Sequence, residues 1–150
     1  EVLPNELYEK LINAKNFQSA MGMLRQCEFS LWDIHTHSSN KDTYQVLKLV
    51  REQTALMPSI KQSRFLNTFG HIFSGGYAAG YFSYKWAEVL AADAYYYVRD
   101  NGGMDSKSSD SFMHNILEIG GSLEFMQQYV KFRGKKPSIE ALLKSNGIDN

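Results

Sequence analysis

One stretch of the chain gathers side chains able to bind and polarise a polar ligand: residues 70–84, GHIFSGGYAAGYFSY. It holds His71, four glycines (Gly70, Gly75, Gly76, Gly80) and three closely spaced tyrosines (Tyr77, Tyr81, Tyr84). Tyrosine hydroxyls stay protonated at neutral pH and donate hydrogen bonds without adding charge. Glycine reaches backbone conformations that other residues resist, and it lets a ligand lie against bare main chain. Together they suit a mobile loop that closes over a polar group and offers it phenolic protons. Helix positions three and four apart share a face, so Tyr81 and Tyr84 are expected to point the same way, with Tyr77 joining from the loop. The competing reading is packing, since aromatic residues at helical spacing are more often core.

The elements that must hold this loop read as helices. The segment Asn5 to Asn16 forms a short one, and from about Phe17 to His37 the set Leu24, Cys27, Leu31 and Ile34 makes an amphipathic stripe. Asp42 followed by Gln45 resembles a capping box, opening a helix with Val46, Leu49 and Val50 facing inward. Pro58 interrupts an irregular stretch from Met57 to Phe69. After the glycine loop, a helix from about Gly80 to Arg99 carries Trp86, Val89, Leu90, Ala94 and Tyr97 on one side. Asp93 falls on that side too, and a buried carboxylate there requires a hydrogen-bonding partner. Asn101, Gly102 and Gly103 end the helix, and a serine-rich connector spans Lys107 to Ser111. Three shorter helices follow, at about Ser111 to Ile119, Ser122 to Arg133 and Ser138 to Lys144. Gly120–Gly121, Gly134 and Asn146–Gly147 stand where helix C-caps belong. The expectation is an all-α fold over residues 1–150 in a single unit.

Bulk properties narrow the function. With 43% hydrophobic residues the chain can build a core, and sixteen basic against sixteen acidic residues leave no footprint for nucleic acid. Cys27 is the only cysteine, which precludes an internal disulfide and suits a reducing cytoplasm. No apolar run approaches the roughly 20 residues of a membrane span. His35 and His37 stand two apart on a helix and diverge, so they read as a solvated helix end rather than metal ligands. Arg133, Lys135 and Lys136 read as a solvated basic cluster at a helix C-terminus, and His114 as structural. Gly75 and Gly76 lack the following G-K-[ST] of a phosphate-binding loop.

The run HIFSGGYAAGYFSYKWAEVLAADA resembles the thimet oligopeptidase and oligopeptidase A family of zinc metallopeptidases, closest to its bacterial branch. The flanks ELYEKLINAKNFQSAMGMLRQCEFSLWDIHTH and GGSLEFMQQYVKFRGKKPSIEALLKSNGI resemble the same family, in order. The resemblance implies the helical C-terminal portion of a zincin-type catalytic domain. Family members bind zinc through an H-E-x-x-H helix, which this sequence lacks, so zinc is expected in the parent enzyme and not on this chain. By resemblance, Tyr84 supplies the donor to the oxyanion of peptide hydrolysis, and His71 and Tyr77 bind substrate backbone. Tyr81 is a further contact, while Gly75 and Gly76 let the loop close on peptide and Gly80 eases entry into the helix. The implied partners are short peptides in the cytoplasm and the remainder of the catalytic domain, and the separated portion is expected to self-associate and to cleave nothing alone. The alternatives are a non-enzymatic helical module that binds peptides or partner helices through the same loop, and a purely structural all-α domain.

Overall fold

The computed structural model describes residues 2–148, and among these every regular element is helical. The helices are α1 (Asn5–Asn16), α2 (Ser19–Ser38), α3 (Thr43–Thr54), α4 (Phe65–Thr68), α5 (Ser83–Asp100), α6 (Lys107–Phe112), α7 (Phe125–Arg133) and α8 (Glu140–Ser145). Single 3-10 turns occur at Gly70–Ile72 and Gly103–Asp105, and a π-helical turn at Met113–Leu117. The chain forms two compact units, Glu1–Trp86 and Ala87–Asn150, with the division falling inside α5.

In the first unit, α2 packs against α3. Asp42 caps α3 by accepting the Tyr44 and Gln45 amides at 2.9 and 3.3 Å, satisfying two of the otherwise unpaired first-turn donors. The core holds Trp32, Val46, Leu47, Val50, Ile72 and Tyr81, flanked by Phe29, Phe65, Leu66 and Phe69. Trp32 donates its indole N–H to Thr43 Oγ1 at 3.0 Å, so the largest buried ring leaves no orphan donor.

The buried side of α2 differs from the expected stripe. Leu31 and Ile34 are 37% and 38% exposed, whereas Glu28, Trp32 and Asp33 are buried. Apolar periodicity misses this face because two of its members are carboxylates, which a count of hydrophobic positions leaves out. Glu28 Oε1 accepts Arg25 Nη1 at 2.6 Å and Arg51 Nε at 2.9 Å. On α3 the inward residues include Leu47, while Leu49 remains exposed.

In the second unit, Ala94, Tyr129 and Phe132 form the core, with Leu90, Tyr97, Val98, Phe112 and Ile116 against it. The carboxylate expected to need a partner has two: Asp93 Oδ2 accepts the Tyr129 hydroxyl at 2.7 Å, and Arg133 binds both of its oxygens at 3.0 and 3.2 Å. Arg133 is thus part of the buried network and not the solvated cation its sequence setting predicts. The serine-rich connector is helical instead: Ser106 caps α6 by accepting the Ser109 amide at 3.3 Å. Trp86, expected on the anchoring stripe of α5, is 46% exposed. Gly134 closes α7 in the left-handed conformation (φ 79°), its N–H donating to the Val130 carbonyl at 2.8 Å.

Candidate functional site

Residues 70–82 are built from consecutive turns that lead into α5. The Gly70 carbonyl accepts the Phe73, Ser74 and Gly75 amides at 3.1, 2.9 and 3.1 Å, folding the first half of the loop onto itself. Tyr77 N–H reaches the His71 carbonyl at 3.3 Å, and Gly80 N–H the Tyr77 carbonyl at 2.8 Å. Two glycines are required by this geometry. A Cβ on Gly75 would sit 2.9 Å from both Cα and O of His71, and Gly76 adopts φ +80°. Gly80 faces no such demand, since its added Cβ would meet the Tyr77 carbonyl oxygen at an ordinary 3.5 Å. The left-handed residue beside it is Ala79, at φ 55°.

The three tyrosines come together. Tyr84 lies 5.2 Å from the Tyr77 ring and 5.1 Å from the Tyr81 ring, centroid to centroid. Their environments differ. Tyr77 and Tyr84 are 38% and 39% exposed, but Tyr81 is 9% exposed, with its hydroxyl donating to Gln26 Oε1 at 2.9 Å. Tyr81 also sits edge-on to Phe29 at 5.7 Å and Phe69 at 5.5 Å, so it anchors the cluster in the core. The site therefore has two outward phenols on one inward one. Phe82, by contrast, is 46% exposed and does not pack inward.

His71 completes the cluster. Its ring stacks on Phe69 at 5.3 Å and stands 6.0 Å from the Tyr77 ring, with the residue itself exposed. A side-chain hydrogen bond with Tyr77, then partial desolvation, then the neighbouring phenols raise Tyr84 above the ordinary tyrosine value. Burial raises Tyr81 as well. Both phenols are therefore protonated donors across the neutral range.

What holds the loop is a residue that spacing does not single out. Asp33, fully buried on α2, accepts the Ala79 amide on Oδ1 and the Tyr81 amide on Oδ2, each at 2.9 Å. Its side chain reads from sequence as one polar position on an amphipathic helix, and the loop amides lie 46 and 48 positions away. Only the mismatch of a carboxylate beside Trp32 could have hinted at it. Of the histidines set aside as metal ligands, His37 turns back on Asp33, its Nδ1 2.9 Å from the carboxylate. His114 pairs with Glu118 at 2.8 Å, which raises it above the ordinary histidine value. Among the described residues no three His, Cys, Asp or Glu side chains converge as a metal site. Among them, too, no helix is long and apolar enough to cross a membrane.

Comparison with known proteins agrees with the resemblance. The model of peptidase family M3 matches residues 1–148. Oligopeptidase A of Haemophilus influenzae is 46% identical over 156 residues, covering 100% of this chain and 23% of the relative. Oligopeptidase A of Salmonella typhimurium is 44% identical over 153 residues, covering 99% of this chain and 22% of the relative. A probable cytosolic oligopeptidase A of Arabidopsis thaliana is 41% identical over 157 residues, covering 99% and 22% respectively. The chain belongs to peptidase family M3, and it spans less than a quarter of the length of these relatives.

Proposed function

We propose that this chain is one part of the catalytic domain of a zinc-dependent oligopeptidase that hydrolyses short peptides in the cytoplasm, and that it supplies the substrate-binding and oxyanion-stabilising loop. The observation that carries the reading is the pair of half-exposed phenols, Tyr77 and Tyr84, ring against ring with His71 next to Tyr77, on a chain of a peptidase family. Attack on an amide carbonyl builds negative charge on its oxygen, and a fixed neutral donor aimed at that oxygen stabilises the transition state more than the ground state.

In this reading Tyr84 donates its hydroxyl proton in a hydrogen bond to the developing oxyanion. Tyr77 holds Tyr84 in place and, with His71, binds the peptide backbone. Gly75 and Gly76 shape the loop so that peptide can lie against it, and Tyr81 supports the pair from below through its bond to Gln26. Zinc and the general base belong, in this proposal, to the remainder of the catalytic domain, and the chain alone is inactive.

In the complete enzyme, Tyr84→Phe is expected to lower kcat by about 10²–10³ with KM little moved, as loss of a transition-state donor does. A Tyr84→Phe enzyme with full activity removes Tyr84 from the mechanism.

A further inference from the structure

The hydrolytic reading leaves the buried carboxylates Glu28, Asp33 and Asp93 unused, and one of them, Asp33, lies directly beneath the loop. Asp33 sits on α2 with 0% exposure, and its two oxygens go to two different backbone amides of the loop, Ala79 and Tyr81. Those amides flank Gly80, the residue that closes the turn back to the Tyr77 carbonyl. The carboxylate thus bridges the backbone between Tyr77 and Tyr84 and ties it to a twenty-residue helix. Ala79 is held at φ 55°, which an L-residue adopts only when its surroundings impose it. His37 Nδ1 also lies 2.9 Å from Oδ1, the oxygen that accepts the Ala79 amide.

We propose that Asp33 is a positioning residue: its bidentate grip on the Ala79 and Tyr81 amides sets the register that brings the Tyr77 and Tyr84 phenols side by side. The inference rests on the role given to those phenols above. A carboxylate suits the task because both oxygens accept. Asparagine at this position keeps the size but turns one acceptor into an NH₂ donor facing an N–H, so one prong of the grip is lost.

In the complete enzyme, Asp33→Asn is expected to lower kcat about 10- to 100-fold with a smaller rise in KM, because the misplaced Tyr84 donor fails in the transition state while Tyr77 loses part of its hold on the peptide backbone. Combined with Tyr84→Phe it is expected to add little, since both changes remove the same contribution. A variant that merely destabilised the fold would lower kcat through the active fraction, and its loss would multiply in full with that of Tyr84→Phe. Such full multiplication, or an Asp33→Asn enzyme with unchanged kcat, overturns the proposal. Hydrogen exchange on the unmodified enzyme gives a second reading that needs no variant to fold. The Ala79 and Tyr81 amides are expected to exchange as slowly as those of central α2, and exchange as fast as at solvent-exposed loop amides overturns the grip. Should Tyr84→Phe alone prove fully active, the oxyanion role fails, and the exchange result still decides whether Asp33 holds the loop.

Discussion

Asp93 and Arg133, forty positions apart, meet in a two-point ion pair with Nε and Nη2 on separate carboxylate oxygens at 3.0 and 3.2 Å. The Asp93 side chain is 5% exposed and that of Arg133 18%, so the pair is largely out of water. Together with Tyr129 it ties α7 to α5 within the second unit.

Arg133→Ala leaves the Asp93 carboxylate buried with only the Tyr129 hydroxyl as donor. A broken buried pair costs far more than a surface one, and the expected loss is about 3 kcal/mol. Urea unfolding checks it through a lowered midpoint at constant slope. An unaltered midpoint would mean that the carboxylate is solvated in practice.

Burial first, and the hydrogen bond to Asp93 second, raise the Tyr129 phenol well above its ordinary value of 10.0. The sign of the resulting pH dependence follows from linkage. Below pH 10 the phenol is protonated in both states and its contribution is complete. As pH rises past 10 the unfolded chain releases this proton while the folded chain keeps it, so the unfolded state binds fewer protons and stability falls. Tyr129→Phe is expected to reduce the steepness of the alkaline decline by close to one proton. Equal slopes for the two proteins above pH 10 would show that Tyr129 ionises freely in the fold.

The loop glycines are expected to separate cleanly. Gly75→Ala forces a methyl against the His71 backbone, which cannot rotate away, and should cost about 1–3 kcal/mol as overpacking does. Gly76→Ala meets no atom but must adopt φ +80°, at a cost of about 1–2 kcal/mol. Gly80→Ala, with only ordinary van der Waals contacts and no left-handed φ, should lie within about 0.5 kcal/mol of the parent. Thermal unfolding of the three variants tests the order, and a Gly80 variant as damaged as the Gly75 one would contradict the turn geometry.

Much of the architecture is legible in the chain because it is written in short-range signals. The span Asn5–Asn16, the Asp42 cap and the left-handed Gly134 depend on residues within a few positions of one another. The cluster of Tyr77, Tyr81 and Tyr84 is equally local, since loop and helix spacing bring the rings onto one side. The need of Asp93 for a partner is also visible, as a carboxylate among Val89, Leu90 and Ala94.

Which residues answer such needs is decided elsewhere in the chain. Tyr129 and Arg133 reach Asp93 from 36 and 40 positions away, and no periodicity within α5 encodes them. For the same reason α2 turns Glu28 and Asp33 inward in place of Leu31 and Ile34. The apolar pattern counts only hydrophobic burial, whereas Arg51 and the loop amides make two carboxylates at home in the interior. Short-range patterning is enough for an all-α fold and for the local grouping of the phenols, and the matched run is enough for the family. Tertiary structure decided that Tyr81 is withdrawn into the core, that Tyr77 and Tyr84 face outward, and that Asp33 fixes the backbone between them. Buried polar groups must find partners wherever the fold supplies them, and that supply is long-range.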